Sequence, residues 1–258
     1  MSSAGDDSFL AGKTALVTGA SRNLGAVIAE GLAAHGATVA ISYLGNADAA
    51  GAVVQRLEQA TGRRHFAFRG DLACSDDVRT VVTAAKETLG GRIDVLVNNA
   101  GPFSMTPFAE LSEAEWDRIW NSNVKAAYLA AQLVAPAMRA AHFGRIVNIS
   151  AVSYLLRNHS IYGLAKSALV FLTEELAAEL GPEITVNAVA PGQIAESAAD
   201  IAEFDPTFVT RAIAATPLGR LVTRGEVADL VADLCRPERD VLTGVTIPVD
   251  GGFRLPRF

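Results

Sequence analysis

The sequence contains few of the residues that stabilise small secreted proteins or bind metal ions. Its 258 residues include only two cysteines, Cys74 and Cys235, and a disulfide framework in so long a chain would need more. The four histidines do not show the spacing of metal ligands. We therefore predict neither a disulfide-stabilised module nor a metal site.

Long hydrophobic runs are also missing. A membrane-spanning helix needs about 20 consecutive apolar residues, whereas the most hydrophobic uncharged helical stretch, residues 126–138, is shorter and contains Gln132 and Pro136. Residues 1–10 contain two aspartates and no basic run, so this segment does not resemble a signal peptide. We expect a protein of the reducing cytoplasm that does not associate with membranes.

Basic residues are in the minority. The 22 lysines and arginines are outnumbered by 28 aspartates and glutamates, which gives a net charge of −6. A protein that binds nucleic acid through a broad surface usually has an excess of positive charge there, so we expect no nucleic-acid partner. A small anion bound in a local pocket remains compatible with this net charge.

Short apolar segments alternate with helical patterns along the chain. The predicted strands are Thr14–Thr18, Thr38–Ser42, His65–Arg69, Ile93–Val97, Arg145–Ser150, Thr185–Ala190 and Val245–Val249. The predicted helices are Leu24–His35, Ala47–Ala60, Asp76–Leu89 after a Ser75 cap, one that starts at Ser112 with Glu115 in a capping box, Val124–Ala141, Ser160–Leu180, Glu196–Ala215 and Glu226–Leu234. Apolar strands separated by helices indicate a parallel sheet covered on both faces. We predict a single α/β domain over residues 1–258, a doubly wound Rossmann fold of about seven strands.

The first predicted strand runs into a glycine-rich turn. Gly19 permits a tight bend, Gly25 permits close packing of the next helix, and the N-terminus of that helix can bind a pyrophosphate. This context predicts a dinucleotide site. Its predicted members in the turn are Gly19, Ser21, Arg22, Asn23, Leu24 and Gly25.

The residues after the second predicted strand favour NADP(H) over NAD(H). An acidic residue there would bind the ribose 2′-hydroxyl of NAD, but the sequence has no acid from Ser42 to Asn46. Ser42 itself is predicted to contact the cofactor. Arg22 could instead pair with a 2′-phosphate. After the third predicted strand, Asp71 and Leu72 are predicted to contact the adenine.

Tyr162 and Lys166 are four residues apart in a helical pattern, so their side chains lie on one face of the helix. A lysine ammonium beside a phenol favours the phenolate, and we expect it to lower the tyrosine pKa. Such a tyrosine can exchange a proton with a carbonyl or alcohol oxygen while a hydride moves at the adjacent carbon. The pair is therefore a candidate catalytic site.

Together, these motifs resemble the short-chain dehydrogenase/reductase family over nearly the whole chain, and in particular its 3-oxoacyl-(acyl carrier protein) reductase type. Several independent motifs in the family's order and spacing make the match specific. The matching residues are Thr18, Gly19, Gly25, Asn98–Gly101, Asn123, Tyr162, Lys166, Pro191–Gly192, Thr243–Gly244 and Val249–Gly252.

The resemblance implies roles for the matching positions. Tyr162 would be the general acid/base, Lys166 would lower its pKa and bind the nicotinamide ribose, and Asn123 would hold a water molecule of a proton relay. Residues 195–217 would form a mobile substrate lid, and the protein would be a homo-oligomer. Further cofactor contacts are implied for Asn98, Ala100, Gly101, Pro191, Gly192 and Ile194.

Two departures from the family pattern concern the cofactor. The middle glycine of the turn is Asn23 here, and asparagine tolerates a positive φ better than most residues. The threonine that the family usually has after Pro191–Gly192 is replaced by Glu196. This replacement would weaken one contact to the cofactor unless Ser197 substitutes.

A third departure concerns the serine that usually follows the fifth strand in the family. Ala151 occupies its position. The spacing to the candidate tyrosine favours Ser150, whereas strand parity favours Ser153, and we predict Ser150. In a further alternative no serine serves, and Asn158 or His159 binds the substrate oxygen.

The sequence therefore predicts an NADP(H)-dependent oxidoreductase that transfers a hydride between nicotinamide and a small-molecule carbonyl or alcohol. The alternative is a cofactor-binding sensor or scaffold with weak or no catalysis. Ala151 favours this alternative, whereas the retained Tyr162 and Lys166 disfavour it. An enoyl reductase is also disfavoured, because that type usually has a wider interval between tyrosine and lysine.

Overall fold

The structure is a computed structural model that describes residues 8–154, 160–199, 203 and 205–255. Its strands are β1 (Thr14–Val17), β2 (Thr38–Tyr43), β3 (Phe66–Arg69), β4 (Val95–Asn98), β5 (Gly144–Ile149), β6 (Ile184–Pro191) and β7 (Thr246–Val249). They form one parallel seven-stranded sheet in the order β3-β2-β1-β4-β5-β6-β7. The strand order reverses between β1 and β4, as in a doubly wound fold, so the predicted fold is confirmed.

Helices connect the strands and cover both faces of the sheet. They are α1 (Asn23–Ala34), α2 (Ala47–Thr61), α3 (Ser75–Thr88), α4 (Glu113–Trp120), α5 (Ala126–Ala140), α6 (Ile161–Leu180), α7 (Phe208–Ala215) and α8 (Arg224–Asp233). Among the described residues, no helix has the length and apolar character needed to cross a membrane.

Each face of the sheet buries its own hydrophobic core. On one face Val17 of β1 packs in a cluster with Ile28 of α1. On the other face Leu16 of β1 packs in a cluster with Met138 of α5 and Ile146 of β5. Leu16 and Val17 therefore face opposite cores, as the two-residue period of a strand requires. Full burial of one such side chain stabilises the fold by about 1.5–3 kcal/mol.

Two predicted helices differ from the observed ones. Ser75 is the first residue of α3, and Cys74 is its N-cap residue, so the predicted serine cap is wrong by one position. The predicted helix over residues 196–215 is interrupted, with a 3₁₀ turn at Ala195–Ser197 and α7 at its end. Part of the predicted lid, residues 200–202 and 204, lies outside the described residues.

Side-chain caps fix the beginnings of two other helices. Ser112 Oγ accepts a hydrogen bond from the Glu115 N–H at 3.2 Å, as predicted for α4. The Glu115 carboxylate does not complete the expected capping box, because it accepts from the hydroxyls of Ser104 and Thr106. A complete capping box instead begins α8, where Thr223 pairs with Glu226.

A buried chain of polar side chains joins β4, β5 and α6. Asn98 Nδ2 donates to Asn148 Oδ1 at 2.8 Å, and Asn148 Nδ2 donates to Thr173 Oγ1 at 2.9 Å. The Thr173 hydroxyl in turn donates to the Leu169 carbonyl at 2.8 Å. Buried polar groups are stable only when paired, so this chain fixes α6 against the centre of the sheet.

Replacement of Thr173 by valine tests this chain. Valine keeps the shape but leaves the Asn148 amide without its acceptor, so we expect the free energy of unfolding to fall by about 1–3 kcal/mol. Urea denaturation measures this change. Thr246→Val is the matched control, because the Thr246 hydroxyl is buried without a partner among the described residues. An equal loss in both variants would contradict the role of the polar chain.

Candidate active site

The predicted site residues lie at one edge of the sheet, where parallel strands end. The glycine-rich turn follows β1, Asn99 follows β4, Ser150 follows β5, and Gly192 follows β6. The first turn of α6 contains Tyr162. In doubly wound folds, ligands bind at this edge beside the point where the strand order reverses, so the structure brings the cofactor and catalytic candidates to one region.

The glycine-rich turn has room only for glycine at two positions. Gly19 has a φ of +62°, and a Cβ there would lie 2.9 Å from the Ala100 Cα. A Cβ on Gly25 would lie 2.5 Å from Asn99 Nδ2. Asn23 adopts a φ of +53°, a left-handed conformation that asparagine visits more readily than most residues. The turn therefore keeps its shape without a glycine at this position.

Side chains behind the turn hold it against the sheet. Thr18 Oγ1 accepts hydrogen bonds from the backbone N–H groups of Asn99 and Ala100, both at 3.0 Å. Asn99 Nδ2 donates to the Thr18 and Gly19 carbonyls at 2.9 and 3.1 Å. Ser42 is 1% exposed, and its Oγ accepts from the Gly19 N–H at 3.0 Å. Ser42 therefore supports the turn from behind, and its direct contact with the cofactor stays a prediction.

Two exposed arginines lie near the ends of β1 and β3. Arg22 is the N-cap residue of α1, whose N-terminus presents partial positive charge. Arg69 Nε donates to the Leu44 carbonyl at 3.1 Å, which places a second guanidinium beside the loop after β2. Sequence reasoning missed Arg69, because the register that pairs it with Tyr43 is a property of the sheet and not of residue spacing.

The other predicted adenosine-side residues lie near one another. Leu72, Asn98 and Ala100 line a small cavity of about 10 Å³ at the end of β4. Asp71 is exposed, and its carboxylate accepts from the Ala73 N–H at 2.9 Å. The Asn98 amide is used within the buried polar chain, so its side chain supports the sheet.

Tyr162 and Lys166 lie on the same face of α6, as their spacing predicts. Lys166 is 3% exposed, and its Nζ lies 5.5 Å from the centroid of the Tyr162 ring. The Lys166 Nζ donates to the Ile149 carbonyl at 2.8 Å. Phe103 packs edge-on against Tyr162 with 4.9 Å between ring centroids, so an aromatic wall borders the candidate catalytic hydroxyl.

Burial changes the pKa of both groups. Loss of solvent raises the pKa of Tyr162 to about 12 and lowers the pKa of Lys166 to about 7. The expected lowering of the tyrosine pKa is therefore not found, because desolvation disfavours the charged form of each group. Tyr162 is protonated at neutral pH and can donate its hydroxyl proton.

Asn123 lies in a π-helical turn, Asn121–Lys125, between α4 and α5, and it directly precedes the first residue of the predicted long helix. Its Nδ2 donates to the carbonyls of Ile119 and Pro102 at 2.9 and 3.3 Å. Its Oδ1 is buried and has no partner among the described residues. Insertions of this kind often mark functional sites, and the free acceptor is one that a water molecule could satisfy.

The candidate serines differ in what their hydroxyls contact. Ser150 is 2% exposed, and its Oγ donates to the Lys166 carbonyl at 2.9 Å. The Ser153 Oγ is also buried but has no partner among the described residues. Ser150 thus holds α6 through this hydrogen bond, and its catalytic role stays a prediction. Asn158 and His159 lie outside the described residues.

The segment after β6 is anchored to α8. Ile194 forms a parallel bridge with Val222, which directs its own N–H away from Val222, as a backbone contact to a ligand would require. The Glu196 carboxylate accepts from the Arg224 N–H at 3.1 and 3.2 Å, and the Arg224 guanidinium donates to Ser197 Oγ at 3.3 Å. Glu196 therefore caps the N-terminal end of α8.

These residues fit a nicotinamide dinucleotide. The glycine-rich turn leaves a cradle that a Cβ would fill at Gly19 or Gly25, and the N-terminus of α1 can bind a diphosphate. Lys166 and Tyr162 lie at the same edge of the sheet. The arrangement can hold a cofactor through the backbone of the turn and place a proton donor beside it.

The lowered pKa of Lys166 predicts a pH-dependent stability. An unfolded lysine has a pKa of about 10.4, so between about pH 7 and pH 10 the unfolded chain binds a proton that the folded protein lacks. The free energy of unfolding should therefore rise with pH in this range. Lys166→Met removes this dependence. The free energy of unfolding of the variant, taken relative to that of the parent, should therefore be higher at about pH 7.5 than at about pH 9.5.

Urea denaturation without cofactor at the two pH values measures this difference. Lys125→Met is the control, because Lys125 is exposed and its replacement should have the same effect at both values. An advantage of Lys166→Met that grows with pH would contradict the assignment.

Known proteins resemble this chain along nearly its whole length. The family model described as enoyl-(acyl carrier protein) reductase matches residues 19–254. A 3-oxoacyl-(acyl carrier protein) reductase of Staphylococcus epidermidis is 35% identical over 246 residues, which cover 94% of this chain and 99% of that protein. A solved short-chain dehydrogenase/reductase of Serratia marcescens is 35% identical, with a TM-score of 0.83 and coverage of 95% of this chain and 99% of that chain.

The L-sorbose reductase of Gluconobacter frateurii, solved in complex with NADPH and L-sorbose, is also similar. It is 28% identical, has a TM-score of 0.89, and covers 97% of this chain and 100% of that chain. Fold, site motifs and relatives agree along the chain. The protein is an oxidoreductase of the short-chain dehydrogenase/reductase family.

Proposed function

We propose that the protein reduces a small-molecule carbonyl compound to an alcohol with NADPH, and catalyses the reverse oxidation, with Tyr162 as the general acid/base. The observation that supports this most strongly is the position of Tyr162 and Lys166 on one face of α6, at the sheet edge that also contains the glycine-rich turn. The bound cofactor supplies a hydride to the carbonyl carbon in the reduction. Tyr162 supplies the proton to the carbonyl oxygen, so the reaction balances.

The protonation states of Tyr162 and Lys166 are consistent with carbonyl reduction. A tyrosine whose pKa is raised to about 12 keeps its proton at neutral pH, as a general acid must. Lys166, with its pKa lowered to about 7, can gain or lose a proton near neutrality. Lys166 would bind the nicotinamide ribose, and Asn123 would hold through its Oδ1 a water molecule that returns protons from solvent.

Removal of the Tyr162 hydroxyl tests the assignment. Tyr162→Phe should lower kcat for ketone reduction at least about 100-fold, while the Kd for NADPH changes little. The loss of nicotinamide absorbance measures turnover, and fluorescence titration measures binding. Tyr128→Phe is the control, because it removes a hydroxyl from an exposed tyrosine of α5.

Turnover close to that of the parent in Tyr162→Phe would refute the catalytic role. Tight NADPH binding by the parent without reduction of any compound in a broad carbonyl panel would favour the alternative of a cofactor-binding sensor or scaffold.

The same site supports a preference for NADP(H) over NAD(H). From Tyr43 to Asn46 no carboxylate follows β2, so nothing in this loop repels a 2′-phosphate. Arg22 is exposed at the N-terminus of α1, and Arg69 contacts the loop after β2. Guanidinium groups bind phosphate strongly through paired hydrogen bonds. We assign Arg22 as the main 2′-phosphate ligand and Arg69 as a second one.

Arg22→Gln should raise the KM for NADPH about 10-fold or more, since a hydrogen bond to a charged group contributes about 1.5–3 kcal/mol. The KM for NADH should change little, because NADH has no 2′-phosphate. Steady-state kinetics with both cofactors measure the difference. Arg64→Gln is the control, since Arg64 precedes β3 and lies at the opposite end of that strand. Equal loss with both cofactors would contradict the assignment.

We also assign the protein to the cytoplasm and to a homo-oligomeric state. Phe171 on α6 is 64% exposed in the single chain. Apolar surface of this kind is commonly buried in contacts between subunits. Sedimentation velocity, which gives the mass in solution, tests the oligomeric state.

A further inference from the structure

The β4–α4 loop, residues 99–112, presents a phenylalanine to the catalytic helix. Phe103 is 61% exposed, although its ring centroid lies only 4.9 Å from that of Tyr162, and the planes of the two rings meet at 70°. This is an edge-to-face contact, one of the arrangements that aromatic pairs prefer. Phe103 therefore keeps a large apolar surface open beside the residue that acts as the proton donor in the proposed function.

Exposure alternates along this part of the β4–α4 loop. Phe103 and Met105 are exposed, whereas Ser104 is buried and Thr106 is half-buried. The two hydroxyls share one acceptor, because Ser104 Oγ and Thr106 Oγ1 donate to Glu115 Oε1 at 2.6 and 2.8 Å. These hydrogen bonds attach the inner side of the loop to α4 and leave the two apolar side chains on its outer side.

The start of the β4–α4 loop is held as well. Asn123 Nδ2 donates to the Pro102 carbonyl at 3.3 Å, and a Cβ on Gly101 would lie 2.1 Å from Asn123 Oδ1. The residues on both sides of Phe103 are therefore fixed, one by the π-helical turn and the other by α4. A group that is already held in its binding position costs less entropy when a ligand binds, so Phe103 is arranged as a binding surface.

An aromatic ring is the group that gains most from this surface. In an aryl ketone the ring is bonded to the carbonyl carbon, so it lies next to the oxygen that accepts the Tyr162 proton. Aromatic rings attract each other at centroid distances of about 4.5–7 Å, and Phe103 lies within that range of the Tyr162 ring. A saturated ring of similar size covers the same apolar surface but lacks the π-system on which this attraction depends.

We propose that Phe103 determines substrate specificity by packing against an aromatic group on the carbonyl carbon, which selects aryl ketones and the corresponding aryl alcohols. Glu115 is a positioning residue, because it holds the loop that contains Phe103 through the hydroxyls of Ser104 and Thr106. The inference rests on the function proposed above, since it takes Tyr162 as the proton donor.

A matched pair of substrates tests the role of Phe103. Acetophenone and cyclohexyl methyl ketone are both neutral methyl ketones with a six-membered ring, but only the first ring is aromatic. Phe103→Leu keeps an apolar side chain and removes the π-system. The ratio of kcat/KM for acetophenone to kcat/KM for cyclohexyl methyl ketone should therefore be about 2- to 10-fold lower in this variant than in the parent. Comparison of the two ratios cancels the different intrinsic reactivities of the ketones.

Phe108→Leu is the matched control, because it makes the same change in the same loop. Phe108 is 85% exposed and lines a cavity with Leu164 of α6. Leu164 and Tyr162 are two residues apart and do not share a face of the helix, so this control should keep the parent ratio. Phe103→Tyr, which retains an aromatic ring, should also keep it. A Phe103→Leu ratio equal to or above that of the parent would overturn the proposal.

Glu115→Ala tests the positioning role. It should lower the same ratio, whereas Glu115→Gln keeps an oxygen that accepts from both hydroxyls and should retain most of it. Because Glu115 acts through Phe103, the variant that combines Glu115→Ala with Phe103→Leu should have the ratio of Phe103→Leu alone. A parent-like ratio in Glu115→Ala, or a further fall in the combined variant, would contradict this role.

Binding can be measured without turnover, because NADP⁺ has no hydride to transfer to a ketone. Calorimetric titration of the NADP⁺ complex with acetophenone should give a Kd about 2- to 10-fold higher for Phe103→Leu than for the parent, with a smaller change for cyclohexyl methyl ketone. If acetophenone binds in this way but NADPH does not reduce it, the proposed function fails while the role of Phe103 stands. If ketones are reduced but both enzymes bind acetophenone equally or not at all, the role of Phe103 fails while the function stands.

Discussion

Two buried asparagine amides connect the cofactor side of the molecule to its catalytic helix. Asn98 at the end of β4 binds Asn148 in β5, and Asn148 binds Thr173 in α6. β4 leads into the segment behind the glycine-rich turn, and α6 contains Tyr162 and Lys166. The distance between the cofactor turn and the catalytic pair therefore depends on these buried hydrogen bonds. A hydrophobic contact would stabilise the fold as well, but it would permit sliding that directional hydrogen bonds do not.

Two hydrogen bonds in opposite directions join the end of β5 to Lys166 of α6. Lys166 Nζ donates to the Ile149 carbonyl, and Ser150 Oγ donates to the Lys166 carbonyl. The end of β5 and the second turn of α6 are therefore joined in both directions. This arrangement keeps the Ser150 hydroxyl on the backbone of α6, and it keeps Lys166 buried with a lowered pKa. The same burial that raises the pKa of Tyr162 keeps its proton available for donation.

Much of the architecture could be predicted from the sequence, because nearly uninterrupted apolar strands separated by helices have few other solutions than a covered parallel sheet. The glycine-rich turn was also predictable, because the space at Gly19 and Gly25 admits glycine but no residue with a Cβ atom. Arg69 and the π-helical position of Asn123 were not predictable. The first depends on strand register and the second on a local helical insertion, and neither leaves a signal in residue spacing.

The choice between Ser150 and Ser153 also could not be made from residue spacing. Strand parity places Ser153 on the side of Ala151 only while the chain stays extended, but the segment becomes 3₁₀-helical at Val152–Tyr154. What distinguishes the two serines is the pairing of their hydroxyls, which follows from tertiary contacts with α6. Glu196 illustrates the converse case, because its carboxylate caps α8. Glu196 stands where the family usually has a threonine, and its carboxylate anchors the segment after β6 to α8. The loss of the threonine hydroxyl therefore comes with a different structural role for this position.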